Sequence, residues 1–147
     1  MRMLERIANE EDMIALGGRL AALLTPGLVV FLEGPLGAGK TTLVRGILRA
    51  MDHNGLVRSP TYALVESYTS VSPSVHHFDL YRLGSAEELE DIGARDYFSG
   101  DAVCLIEWPE RAAGFLPAPD WTIEIEYDGA GRKVRVADST NGTMGDP

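Results

Sequence analysis

The chain has 147 residues, enough for one domain with a real core, and its 45% hydrophobic and 24% charged residues are the balance of a soluble globular protein. A formal charge of −9 argues against an extended nucleic-acid footprint, which needs a basic face, and leaves docking to a protein partner open. No apolar run is long enough to span a bilayer, and no apolar leader follows Met1-Arg2-Met3, so the expected address is cytoplasmic, with no membrane contact. The single cysteine, Cys104, cannot close an internal disulfide and lies in an apolar run, as a small buried residue would.

In chain order, Met3 to Ala8 reads as an edge strand. Asn9 before Glu10-Glu11-Asp12 reads as an N-cap with an acidic first turn. The helix it opens has Met13, Leu16, Leu20, Leu23 and Leu24 on one face and should stop near Pro26-Gly27. Leu28 to Leu32 is a short apolar β-type run. Gly34 to Thr41, Gly-Pro-Leu-Gly-Ala-Gly-Lys-Thr, then fits the phosphate-binding pattern G-x-x-x-x-G-K-[ST] at every fixed position. Thr42 to Leu48 carries apolar residues at helical spacing, ending around Asp52 to Gly55. Ser59-Pro60-Thr61 is a turn signal. Tyr62 to Tyr68 and Val75 to Leu80 are expected as an antiparallel hairpin across Val71 to Ser74. Ser85 to Glu88 opens a short acidic helix with Leu89 and Ile92 as its apolar positions. Ala102 to Ile106 is a continuous apolar run, as in a central strand buried on both faces. Pro109 to Leu116 should make one or two helical turns. Trp121 to Tyr127 and Arg132 to Val136 alternate across Asp128-Gly129-Ala130-Gly131, the strongest hairpin signal in the chain. Residues 138–147 are a polar tail expected to be disordered, which leaves residues 1–137 as a single domain.

The expected fold is therefore α/β and P-loop NTPase-like: a mostly parallel central sheet flanked by helices, with antiparallel hairpin additions. Strand, glycine loop and helix is the order that phosphate binding requires. The glycines allow backbone N–H groups to turn inward onto phosphate oxygens, and the helix N-terminus adds partial positive charge. Lys40 would reach the β- and γ-phosphates, and the Thr41 hydroxyl would be placed for Mg²⁺.

Hydrolysis also needs acidic groups beside the metal. Glu107 directly follows an apolar strand, at the end where α/β sheets place their ligands. It could hold Mg²⁺, directly or through water, or orient the attacking water; the alternative is a solvated acidic residue opening a loop. Asp79 stands near the end of another strand and is either a second carboxylate of the site or an ordinary strand-end residue. His76 and His77 face opposite ways on a strand, so they cannot both ligate one metal, and His77 reads as a buried, hydrogen-bonded histidine. Ser59 and Thr61 lie on the segment that senses the γ-phosphate in many phosphate-loop proteins, although turn chemistry around Pro60 explains them locally. Trp108 is either a core anchor or a partner contact. No guanine-reading motif and no arginine-rich lid is present.

The motifs Gly-Pro-Leu-Gly-Ala-Gly-Lys-Thr-Thr (34–42), Ser-Pro-Thr-Tyr (59–62), His-Phe-Asp-Leu-Tyr-Arg-Leu (77–83), Glu-Glu-Leu-Glu (87–90) and Leu-Ile-Glu-Trp-Pro-Glu-Arg (105–111) resemble, in order and spacing, the TsaE family, formerly YjeE. The resemblance covers about residues 9 to 136. It implies an ATPase of bacterial tRNA threonylcarbamoyladenosine synthesis, slow alone, that acts with TsaD, the transferase, and TsaB, its scaffold. Hydrolysis would reset that assembly, and tRNA would be met indirectly. Carried over by motif, Gly37, Ala38, Gly39, Lys40, Thr41 and Thr42 would hold phosphates. Thr41 and Glu107 would hold Mg²⁺, Asp79 would belong to the hydrolytic site, and Arg132 of the terminal hairpin would lie near the nucleotide. The family usually has Asp where Pro35 stands and Thr where Ala63 stands. The rival readings are a small-molecule kinase and a non-hydrolysing nucleotide-binding adaptor.

Overall fold

The computed structural model describes residues 1–53, 55–57 and 64–139. Along the chain these form β1 (Arg2–Ile7), α1 (Glu10–Ala21), β2 (Val29–Glu33), α2 (Lys40–Ala50), β3 (Val65–Tyr68) and β4 (Val75–Asp79). They continue with α3 (Glu87–Asp91), α4 (Ala94–Phe98), β5 (Val103–Glu107), a 3₁₀ turn (Pro109–Ala112), β6 (Trp121–Asp128) and β7 (Gly131–Asp138). The strands make one seven-stranded sheet in the order β1-β7-β6-β2-β5-β4-β3.

Parallel pairing is confined to the middle of this sheet. β2 pairs in parallel with β5 and β6, and β4 in parallel with β5. The two expected hairpins, β3–β4 and β6–β7, and the edge strand β1 against β7 are antiparallel. The sheet is accordingly mixed, because each hairpin adds a reversed strand outside the parallel centre. β2, β4 and β5 run the same way, so their C-terminal ends lie on one edge.

Side-chain alternation sends each strand into two cores. Val30 and Leu32 of β2 and Val103 and Leu105 of β5 pack with α1 and α2 on one face, against Leu16, Leu20, Leu43 and Ile47. Val29, Cys104, Ile106 and Phe78 pack on the other face, under Leu89 of α3 and Ala94 of α4. Every residue of β5 is buried, as the unbroken apolar run requires.

The helices start as their sequences dictate. Asn9 Oδ1 accepts from Asp12 N at 2.9 Å, which caps α1. The stop differs: α1 ends at Ala21, and Leu23 N and Leu24 N bond back three residues, to Leu20 and Ala21. That tightening turns Leu23 outward, leaving it 48% exposed rather than on the buried face. α3 also ends early, at a left-handed Gly93 (φ +71°), and α4 follows as a separate turn; Ile92 is left 37% exposed.

α1 and α2 touch backbone to backbone. A Cβ on Gly17 would stand 2.7 Å from Leu43 O, and one on Gly46 would strike Ile14 O. Two glycines thus set the distance between the helices, and with it the aim of the N-terminus of α2.

Candidate active site

The segment Gly34 to Gly39 leaves the C-terminal end of β2 and turns into α2. Gly34 tolerates no side chain, because a Cβ would strike Ile125 O of the neighbouring strand β6. Gly39 takes φ +113° immediately before the helix, a conformation that L side chains rarely adopt. α2 opens on Gly39, which has no side chain to cap it. Gly37, Ala38, Gly39, Lys40, Thr41 and Thr42 line a cavity of about 230 Å³, together with Asp79 and Glu107.

Lys40 is 4% exposed. Its Nζ donates to the carbonyl of Gly34 and, at 3.3 Å, to that of Pro35, and it lies 3.7 Å from the centroid of the Trp108 ring. Burial lowers the pKa of this ammonium; the carboxylates of Glu107, Glu110 and Asp79 pull it the other way by less. Trp108 itself has φ +59°, an outlier for so bulky a residue, where it turns the chain from β5 into the 3₁₀ turn. It is the half-buried roof of Lys40, and its ring also lies 5.0 Å from that of Tyr81, tilted by 47°.

Glu107 ends β5 and is 3% exposed. Its Oε2 accepts from Thr41 Oγ1 at 3.0 Å and lies 2.6 Å from His77 Nε2. Asp79 ends β4 directly opposite Glu107 in the parallel register, and its Oδ1 accepts from Tyr81 N at 3.1 Å. The strand period explains the grouping. Asp79 and His77 share one face of β4 with Val75, and Glu107 shares that same face of the sheet with Leu105 and Val103, beneath α2. His76 faces away, bonded to Ser67 at 2.8 Å.

Arg132 stands on the other side of the loop. It donates to the carbonyls of Ala38 (3.0 Å), Gly37 (3.3 Å) and Gly131 (2.9 Å), and its guanidinium lies over the Tyr127 ring. Tyr127 donates its hydroxyl to Leu36 O. The tip of the β6–β7 hairpin therefore grips the glycine loop through three of its carbonyls. A second cavity, of about 240 Å³, opens here between Asn9, Met13, Thr42 and Arg132.

Lys40, Thr41, Thr42, Asp79, Glu107 and the loop glycines are thus brought to one cavity, with Arg132 across the loop from it. Ser59 and Thr61 lie outside the described residues. Sequence reasoning did not place Tyr127 or Tyr81 at the loop, and it assigned His77 no partner. It read Trp108 as part of the 105–111 motif and as a core anchor or partner contact, not as the neighbour of Lys40. Among the described residues, no helix is long and apolar enough to cross a membrane.

The family model described as Threonylcarbamoyl adenosine biosynthesis protein TsaE matches residues 7–135. The chain is 45% identical to the tRNA threonylcarbamoyladenosine biosynthesis protein TsaE of Haemophilus influenzae, over 92% of this chain and 89% of that one. It is 37% identical to the protein of the same name from Bacillus subtilis, over 84% and 77% of the two chains. Among solved structures it is similar to Bacillus subtilis YdiB, with a TM-score of 0.81 and 29% identity, covering 98% of this chain and 90% of that chain.

Proposed function

The chain belongs to the TsaE family, and we propose that it is the Mg²⁺-dependent ATPase of tRNA threonylcarbamoyladenosine synthesis, acting with TsaB and TsaD in the cytoplasm. The observation that carries this reading is the convergence of Lys40, Thr41, Asp79 and Glu107 on one cavity at the N-terminus of α2. An ammonium, a hydroxyl and two carboxylates at the N-terminus of a helix opened by glycine suit a triphosphate and a hard cation.

In this reading the backbone N–H groups from Gly37 to Thr42 receive the β- and γ-phosphates, in a P-loop NTPase arrangement. Lys40 leaves the carbonyls of Gly34 and Pro35 and neutralises phosphate charge. Thr41 and Glu107, already 3.0 Å apart through Oγ1 and Oε2, are the residues that would hold Mg²⁺. Among the described residues no group of three or more His, Cys, Asp or Glu side chains could form a metal cage, and Mg²⁺ at such sites takes one or two protein ligands beside substrate phosphates. Bound there, Mg²⁺ would supply neutralisation of the charge developing on the transferred phosphoryl group. Asp79, opposite Glu107 at the adjacent strand end, would complete the hydrolytic site, with one of the two carboxylates orienting the attacking water. Arg132, which lines the second cavity beside the loop, would lie near the nucleotide.

The acidic charge of −9 supports a role exerted through protein partners, with tRNA met indirectly. Hydrolysis then changes the contacts around the γ-phosphate and resets the TsaB–TsaD assembly, while the transfer chemistry stays with the partner. Phosphate release from ATP, measured with and without TsaB and TsaD, tests this. Slow release alone and faster release with the partners is expected. No release in either case, or passage of the γ-phosphate to a small acceptor, would overturn it in favour of an adaptor or a kinase.

A further inference from the structure

We propose that His77 is the positioning residue for Glu107, fixing its carboxylate at the place where Thr41 and a divalent cation meet it. The cation belongs to the reading above, on which this inference rests. The hydrogen bond that carries it does not depend on that reading.

His77 is 0% exposed, in the middle of β4, on the same face as the fully buried Val75. An aliphatic residue would satisfy that position at no polar cost, whereas a buried imidazole is expensive unless its nitrogens are bonded. Only one of them is: Nε2 meets Glu107 Oε2 at 2.6 Å, and Nδ1 has no partner among the described residues. Packing alone does not account for a ring that leaves a nitrogen unsatisfied. The bond it does make falls on the oxygen that also accepts from Thr41 Oγ1. Two donors, one from β4 and one from α2, therefore hold Oε2 from different elements, and Oε1 is engaged by neither.

The missing partner at Nδ1 also sets the tautomer. A proton on Nδ1 would be an orphaned buried donor and would turn the Nε2 lone pair against Oε2. A proton on Nε2 makes the short contact a donated hydrogen bond. His77 thus donates to Glu107 as outer-shell groups donate to ligating carboxylates, removing the rotamer freedom that Glu107 would otherwise lose on binding.

The test compares His77→Phe, which keeps the ring volume without a donor, with His77→Gln, whose side-chain amide can place N–H near the Nε2 position. In each full-length protein, the Mg²⁺ concentration needed for half-maximal tightening of mant-ATP binding is measured, alongside mant-ATP affinity in EDTA. His77→Phe is expected to raise the Mg²⁺ requirement by about 10- to 100-fold with little change in EDTA, and His77→Gln to restore most of the loss. A Phe variant with the wild-type Mg²⁺ requirement, or Phe and Gln variants that are equally impaired, would overturn the inference. Imidazole nitrogen NMR of the unmodified, nucleotide-free protein decides independently of whether the Phe variant folds: an Nε2-protonated His77 supports the proposal and an Nδ1-protonated one overturns it. If the unmodified protein binds mant-ATP without any response to Mg²⁺, the metal reading fails while the NMR result still decides the hydrogen bond.

Discussion

Lys40 Nζ sits 3.7 Å from the centroid of the Trp108 ring, under a tryptophan held at positive φ. To reach a phosphate the ammonium must leave that ring and the carbonyls of Gly34 and Pro35. ATP binding is therefore expected to change tryptophan fluorescence, and the change should vanish in Trp108→Phe, since the other tryptophan, Trp121, is only 6% exposed in the sheet. A full response in Trp108→Phe would show that the ring does not report the lysine.

Lys40→Met separates binding from stability. A charge-assisted hydrogen bond is worth about 1.5–3 kcal/mol, so ATP affinity should fall on the order of 10- to 100-fold. In the empty protein the substitution removes the bonds of Nζ to Gly34 and Pro35 together with the cost of burying its charge, so the readout is the pH dependence of stability. Burial lowers the pKa of Lys40 below 10.5, so the unfolded chain binds the proton more tightly than the folded one. The charged lysine thus costs stability below its folded pKa, and that cost fades as pH rises through the folded value toward 10.5. The urea midpoint of the wild type should rise relative to that of Lys40→Met as pH rises toward 10.5; a difference that does not change with pH contradicts it.

Glu107→Ala should damage both hydrolysis and folding. It leaves His77 Nε2 buried without its acceptor, which costs about 1–3 kcal/mol in denaturant unfolding. Nucleotide binding should survive better than kcat, because the carboxylate acts on charge that develops during the reaction. An unchanged kcat with weaker ATP binding would confine Glu107 to ground-state binding of the nucleotide and its cation.

Much of this site is legible in the sequence because its signals are local. Six of the loop's residues, Lys40 and Thr41 among them, are contiguous, and Glu107 and Asp79 each close an apolar strand. Period-two alternation already separates His76 from His77. The His77–Glu107 contact was not legible, because it depends on how β4 and β5 register across 30 residues of chain. The grip of Tyr127 on Leu36 spans 91 residues and leaves no local pattern. The edge hairpins were recognised as hairpins, but their strands count equally against the parallel centre, so the sheet is more mixed than expected. α4 escaped notice because five residues hold too little periodicity to read.

The hairpin grip predicts that Arg132→Ala and Tyr127→Phe weaken ATP binding through the loop. Both residues bond loop carbonyls, so their effects should be non-additive in a double-mutant cycle on ATP affinity. Additive losses would mean that Arg132 acts on the nucleotide alone.

The helix contact gives a stability prediction remote from the chemistry. Gly46→Ala forces a methyl group onto Ile14 O and should cost about 1–3 kcal/mol in denaturant unfolding, with α2 displaced. Wild-type stability would show that α1 and α2 separate freely.

The central claim is that the loop cavity takes the phosphates of ATP with Mg²⁺ held by Thr41 and Glu107. Calorimetric titration with ATP, in Mg²⁺ and in EDTA, on the wild type and on Lys40→Ala, tests it most directly. The account predicts saturable binding by the wild type that Mg²⁺ strengthens and that Lys40→Ala weakens on the order of 10- to 100-fold in both conditions. ATP binding that is indifferent to Mg²⁺ and unchanged in Lys40→Ala would contradict it.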